Sequence, residues 1–309
     1  MRKPVDGTAT AIMVGLCLIW GFQQVAIKAV ADDMSPTLQI ALRSGGGAIL
    51  VWLFSRLIAR DHWLPGVAFR SGLVVAVLFA IEFLLIAEGL RRTNASHMAV
   101  FLYTAPIFAA IGLHLRLPDE RLGWLQWLGI GLAFTGIAIT FLAPGSGDGG
   151  GADLPDMVWG DLMGVGAGAG WGLTTVAVRV SRLSEAPAAQ TLFYQLVGAF
   201  VILLPFVFLT GQASIHGTAL AWASLGFQTV IVAFASYLIW FWLLRRYLAA
   251  RLGVLSFMTP LFGVVMGVVL LQERLEPAFI IGAVLVLTGL LIVNGQPWLR
   301  QWLSPRQAP

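Results

Sequence analysis

The chain has 309 residues, of which 58% are hydrophobic and 11% charged, with a net charge of +4. An ordinary soluble domain has about a quarter of its residues charged, so this composition, with a mean hydropathy of +0.85, excludes a soluble globular protein and indicates one that lives in a lipid bilayer. A single cysteine, Cys17, excludes an internal disulfide framework, and no His or Cys cluster has metal-ligand spacing, so neither a metal nor another cofactor is expected.

In chain order, MRKPVDGTATAIMVGLCLIWG has the basic start and apolar core of a signal peptide. Its core is about 20 residues long and no small-x-small cleavage site follows, so it reads as a retained helix. Ten apolar runs of spanning length can be placed near 10–30, 36–59, 68–90, 95–116, 123–143, 157–182, 187–210, 219–244, 250–271 and 277–296. Lipid offers no partner to bare backbone groups, and the runs are too continuous for alternating strands, so all ten are expected to be helices.

The basic residues sit between these runs and not in a patch, which argues for topology signals and against nucleic acid as a partner. With the N-terminus inside, Arg2, Lys3, Arg56, Arg60, Arg70, Arg116, Arg121, Arg179, Arg182, Arg245, Arg246, Arg251, Arg300 and Arg306 fall on the cytoplasmic side. Only Lys28, Arg91, Arg92 and Arg274 fall outside, so both termini are expected in the cytoplasm of a cell inner-membrane protein. The glycine-rich connection PGSGDGGGADLPD, Pro144 to Asp156, then lies outside as a flexible linker.

The halves on either side of that linker match. WGFQQVAIK (Trp20 to Lys28) aligns with WGLTTVAVR (Trp171 to Arg179), and LRRTNASHMAVFLYTAP (Leu90 to Pro106) with LRRYLAARLGVLSFMTP (Leu244 to Pro260). DERLGWLQWLGIGLAFTGI aligns with QERLEPAFIIGAVLVLTGL after a one-residue slip, pairing Glu120 with Glu273 and Gly136 with Gly289. Three matches in one order make a repeat. The expected units are 1–143 and 157–296, joined by the extracytoplasmic linker 144–156 and followed by a cytoplasmic tail 297–309. Each holds five spans, an odd number, so the second enters the membrane inverted, an arrangement common in secondary transporters, with the substrate site near the midplane between the halves. The arginine doublet at Arg91 and Arg92 breaks the charge rule because its counterpart, Arg245 and Arg246, is inside.

Paired five-helix units with WG in the first helix, an Arg in the second, a Pro midway along the fourth and an E-R-L element before the fifth resemble EamA-type members of the drug/metabolite transporter superfamily. Within it the chain resembles the YddG-type exporters of aromatic amino acids. The resemblance covers nearly the whole chain and implies an all-α membrane protein, ten helices forming a basket around a central cavity lined mainly by the first, third, fourth, sixth, eighth and ninth helices.

Candidate site residues follow from depth and repeat position. Pro106 and Pro260 lie about ten residues into their spans, near the midplane at 1.5 Å per residue. Each removes a donor and loosens the carbonyl four residues earlier, at Leu102 and Ser256. One such proline reads as a static kink; two at equivalent positions read as hinges. Trp63, Trp124, Trp159, Trp222 and Trp298 fall near span ends, as an interfacial belt requires, whereas Trp20 and Trp171 sit mid-span and are left to packing or ligand contact. Phe79, Glu82, Phe83 and Ile86 share one helical face, with repeat partners Ala233, Ser236, Tyr237 and Trp240. Tyr103 and Phe257 form another equivalent pair. Together they make an aromatic, lightly polar surface suited to an uncharged or zwitterionic solute with an apolar side chain, although such a stripe also serves plain packing.

A carboxylate at the depth of Glu82 costs about 2.5 to 3.5 kcal/mol unless paired or protonated. Arg43 matches it in depth, so an Arg43–Glu82 ion pair bracing two helices is expected, with a proton carrier or a partner for a substrate ammonium as the functional readings. Gln195 holds the Arg43-equivalent position. Gln23, Gln24, Asn94 and His97 are lesser polar candidates, His97 reading as a solvated residue at the outer mouth. The glycines of DLMGVGAGAGWG, Asp161 to Gly172, lack the strand and lysine of a phosphate loop and read as close helix packing, as do Gly263 and Gly267.

The leading functional reading is therefore an inner-membrane exporter of small amphipathic metabolites, with aromatic and other hydrophobic amino acids as substrates and the bilayer as its surroundings. No Walker motif is present. An intramembrane enzyme would need a buried zinc set or paired catalytic aspartates, neither of which the sequence contains. A nucleotide-sugar exchanger would need several cavity cations for the phosphates, and only Arg43 and Lys28 are available.

Overall fold

The computed structural model describes residues 6–66, 68–118, 121–142, 154–247, 252 and 255–303. Most of the linker, Glu120, Arg251 and both extreme termini lie outside those residues. Among the described residues every expected span is helical. The segments are α1 (Gly7–Ala29), α2 (Pro36–Ala59), α3 (Ala68–Gly72 continuing as Leu73–Leu90), α4 (Ala95–Arg116) and α5 (Trp124–Leu142) in the first half. The second half holds α6 (Leu154–Arg179), α7 (Ala188–Leu209), α8 (Ala219–Gly226, Phe227–Ser236 and Tyr237–Arg246), α9 (Met258–Leu271) and α10 (Pro277–Leu303). Among the described residues six helices are long and apolar enough to cross a membrane, and Trp124–Thr140, Met258–Leu271 and Pro277–Val293 are shorter apolar ones. An even number of spans puts Asp6 and Leu303 on one side, the terminal side; the α1–α2, α3–α4 and α9–α10 connections lie on the far side.

The ends are set by ordinary local chemistry. The Asp6 carboxylate accepts from Ala9 N at 2.8 Å to cap α1, and Ser35 accepts from Leu38 N at 3.2 Å to cap α2 ahead of Pro36. Trp124, Trp159 and Trp222 are exposed at span ends, 74%, 59% and 51% respectively, as an aromatic belt requires.

The two halves interlock by exchanging equivalent contacts. A Cβ added to Gly21 in α1 would lie 2.8 Å from Gly263 N and 3.1 Å from Phe262 Cβ in α9; one added to Gly172 in α6 would lie 2.8 Å from Ala109 N and 2.7 Å from Phe108 Cβ in α4. These are the same contact written twice, because Gly21 aligns with Gly172 and Phe262 with Phe108. The glycine of each WG therefore lets the first helix of one half cross the fourth of the other at backbone distance. The fifth helices meet each other: the added Cβ of Gly129 would lie 2.7 Å from Gly289 O, and that of Gly136 2.5 Å from Gly282 O. A pseudo-two-fold axis in the membrane plane relates the two sets, which is the geometry of an inverted repeat.

Candidate functional site

Both proline-bearing helices break one turn before the midplane. In α4 the helix stops at Leu102, turns through Tyr103 and Thr104, and resumes at Ala105 with Pro106 in its first turn. Thr104 Oγ1 donates to Phe101 O at 2.6 Å, beside the Thr104 amide, which donates to the same carbonyl at 3.1 Å. The equivalent turn in the other half is Phe257, directly before α9 and its Pro260. In α8 the turns from Phe227 to Ser236 are π-helical, and Ser236 and Tyr237 stand where the winding returns to α.

Most of the expected aromatic residues come together between the halves. Phe79 and Phe83 pack at 4.5 Å between centroids with their rings tilted by 54°, and Trp171 and Tyr237 pack against the cluster that contains them. Trp20 lies 6.5 Å from Tyr237 and 5.7 Å from Trp240, and its Nε1 donates to Ser236 Oγ at 2.9 Å. Tyr103 meets Trp171 edge to face at 5.3 Å. Phe257 does not join them. It packs instead with Val100, Phe101 and Phe279, because its turn leads toward α4 and α10 rather than toward α3.

The expected Arg43–Glu82 ion pair is not formed. No ion pair within 4.0 Å joins them, although both are buried, at 2% and 4% exposure. Arg43 lies flat on the Phe83 ring, Cζ 4.5 Å from the centroid, so the aromatic face takes the place that the carboxylate was expected to hold. Arg43 Nε and Nη1 and Glu82 Oε2 have no hydrogen-bond partner, and the Thr259 hydroxyl and Gln24 Oε1 are also without one. Arg43, Glu82 and Tyr237 are nevertheless close enough for their charges to interact.

His97 is likewise not solvated. It is 1% exposed, stacked on Phe279 at 3.8 Å, with Nδ1 2.9 Å from Asp161 Oδ2 of α6. Its Nε2 is 3.3 Å from Glu276 Oε2, an ion-pair distance without hydrogen-bond alignment. Thr93 Oγ1 donates to Asp161 Oδ1, and Lys28 Nζ donates to the carbonyls of Thr93 and Leu90. Glu276, in the loop before α10, is pushed up by burial, and the His97 ring and a backbone amide more than offset this, holding the carboxyl below its ordinary range. Beside this group Glu273 accepts from Ala95 N at 2.7 Å and Ser96 N at 3.0 Å, capping α4 from the other half in place of Asn94. The E-R-L match marked Glu273 in the sequence but not this contact.

On the terminal side a cleft of about 590 Å³ opens between the ends of α4 and α6, lined by Arg116, Arg179, Ser181, Arg182 and Glu185. None of the expected substrate residues borders it.

A family model described as "EamA-like transporter family" matches residues 8–142 and again 158–295. The chain is 21% identical over 285 residues to "Uncharacterized transporter YoaV" of Bacillus subtilis (strain 168), covering 91% of this chain and 94% of that one. It is 29% identical over 308 residues to "Probable amino-acid metabolite efflux pump" of Escherichia coli (strain K12), covering 95% and 96%. A solved crystal structure shares the fold with a TM-score of 0.63 and 21% identity, over 97% of this chain and 100% of its own.

Proposed function

The chain belongs to the EamA-like transporter family, a multi-pass membrane protein that moves a small molecule, and from that premise we propose that it exports small amphipathic metabolites, foremost aromatic and other hydrophobic amino acids, by alternating access. The observation that supports this most is the central cluster of Trp20, Phe79, Phe83, Tyr103, Trp171 and Tyr237, which surrounds buried polar groups without partners. Aromatic walls take an apolar side chain, and a few polar groups fix its orientation. The amino-acid efflux name of one relative agrees with this reading.

In this scheme the repeats 1–143 and 157–296 rock against each other in the cell inner membrane, with the terminal side cytoplasmic and Pro106 and Pro260 as hinges. Counterflow in proteoliposomes tests the reading. Unlabelled Phe, Trp, Met and Thr are expected to exchange with a labelled aromatic amino acid, and a sugar nucleotide is not. No competition by any amino acid would overturn it. Replacing both prolines, Pro106→Ala with Pro260→Ala, is expected to slow exchange while the protein keeps its melting temperature; unchanged exchange removes the hinge role.

A further inference from the structure

We propose that Arg43 and Glu82 are the two poles of a zwitterion receptor, the guanidinium taking the solute's carboxylate and the Glu82 carboxylate taking its ammonium. This rests on the transport reading above and specifies how the central site recognises its solute.

Three observations carry it. First, both side chains are fully within the protein, and Arg43 Nε and Nη1 and Glu82 Oε2 have no partner there. Leaving one member of a buried pair unmatched typically costs about 3 to 5 kcal/mol, and here a guanidinium and a carboxyl group, each with an unpartnered buried atom, do not close on each other. A mere brace would have closed. Second, each packs against something other than the opposite group: Arg43 Cζ lies over the Phe83 ring, and α6 passes Glu82 at Gly170, where an added Cβ would lie 3.3 Å from Glu82 Cβ. Stacking occupies the guanidinium face and leaves its N–H edge, the part that binds a carboxylate, available. Third, the apolar part of the solute has its place next to the poles, because Phe83 follows Glu82 in the chain and packs against Phe79, with Trp171 and Tyr237 packed against them.

The charges decide the solute class. One guanidinium and one carboxylate sum to zero, so the matching ligand carries one carboxylate and one ammonium. A sugar nucleotide brings several negative charges to a single cation, and a simple amine or acid leaves one pole unmatched. The central orphan hydroxyl of Thr259 and the amide of Gln24 add no charge.

The test uses three solutes with the same ring: L-phenylalanine, phenethylamine, which lacks the carboxylate, and 3-phenylpropionate, which lacks the ammonium. Calorimetry on the detergent-purified protein is expected to show phenylalanine preferred over each by at least about tenfold, the size of one charge-assisted hydrogen bond. Glu82→Gln is expected to abolish the preference over phenylpropionate, and Arg43→Gln the preference over phenethylamine. Because each readout is a ratio within one variant, differences in yield do not enter. If Arg43→Gln fails to fold, Arg43→Lys keeps the charge without the fork and is expected to weaken phenylalanine and 3-phenylpropionate while leaving phenethylamine unchanged. Equal binding of the three solutes by the wild type, or ratios unchanged by these substitutions, overturns the proposal. So does a Glu82→Gln protein that loses transport driven by a pH gradient but keeps its preference for phenylalanine, since Glu82 is then a proton carrier. Phenylalanine counterflow in the wild type separates the two readings: present with equal binding, only the receptor falls; absent for every amino acid, the transport reading falls first.

Discussion

On the far side of the molecule His97, Asp161 and Glu273 are buried or half-buried, and each reaches a partner on another helix; at the centre Arg43 and Glu82 are buried as deeply and reach none. The same chain thus treats intramembrane charge in two ways. Where charges meet across the halves, at α4, α6 and the α9–α10 loop, they tie helices together and contribute stability once hydrogen-bonded. Where they stay apart, with Arg43 over the Phe83 ring and Glu82 beside Gly170 of α6, they are available to something else. Partnership, more than depth or charge, separates a brace from a receptor.

The comparison can be broken most directly with Asp161→Ala. It strips the partner from a buried His97 and from Thr93, and is expected to cost about 3 to 5 kcal/mol, read as a large drop in melting temperature in detergent. Next is Glu273→Ala, which leaves the first amides of α4 uncapped; a loss of about 1 to 2 kcal/mol is expected, with exchange impaired only as far as the fold is. Smaller again is the effect of pH on the far side. The carboxyl of Glu276 is held below its ordinary value in the folded protein, so its contribution is complete above the unfolded value and is lost as pH falls through the lower folded one. Acidification through the carboxylate range should therefore lower the wild-type melting temperature more than that of Glu276→Gln. The smallest effect on stability belongs to Glu82→Gln, which removes an orphan charge and is expected to melt at or above the wild type. If it melts as low as Asp161→Ala, the two regions do not differ in the way described.

Much of this was legible in the sequence. The ten spans follow from apolar length, the inversion from an odd number of spans per repeat, and the paired breaks from TAP and MTP at equivalent depth. Trp20 and Trp171 stood out because an interfacial belt could not account for them, and the structure places both against Tyr side chains at the centre. The errors share one cause. Arg43 and Glu82 match in depth, yet depth along a helix does not say what each side chain packs on, and Arg43 lies over the Phe83 ring. His97 looked like a solvated residue at a span end because its partners, Asp161 and Glu276, belong to the other half and lie 64 residues or more away. Phe257 was paired with Tyr103 by repeat position, but the two halves are not identical in what surrounds each turn.

By itself, then, the sequence determined that the chain spans a membrane ten times, that its halves are inverted copies, and how deep each polar residue lies, because hydrophobic thickness and helical rise convert residue count into depth. Only the tertiary structure decided which side chains face one another at a given depth. That is set by rotation of each helix about its axis, which the backbone crossings at Gly21 and Gly263, Gly172 and Ala109, and Gly129 and Gly289 fix between halves far apart in the chain.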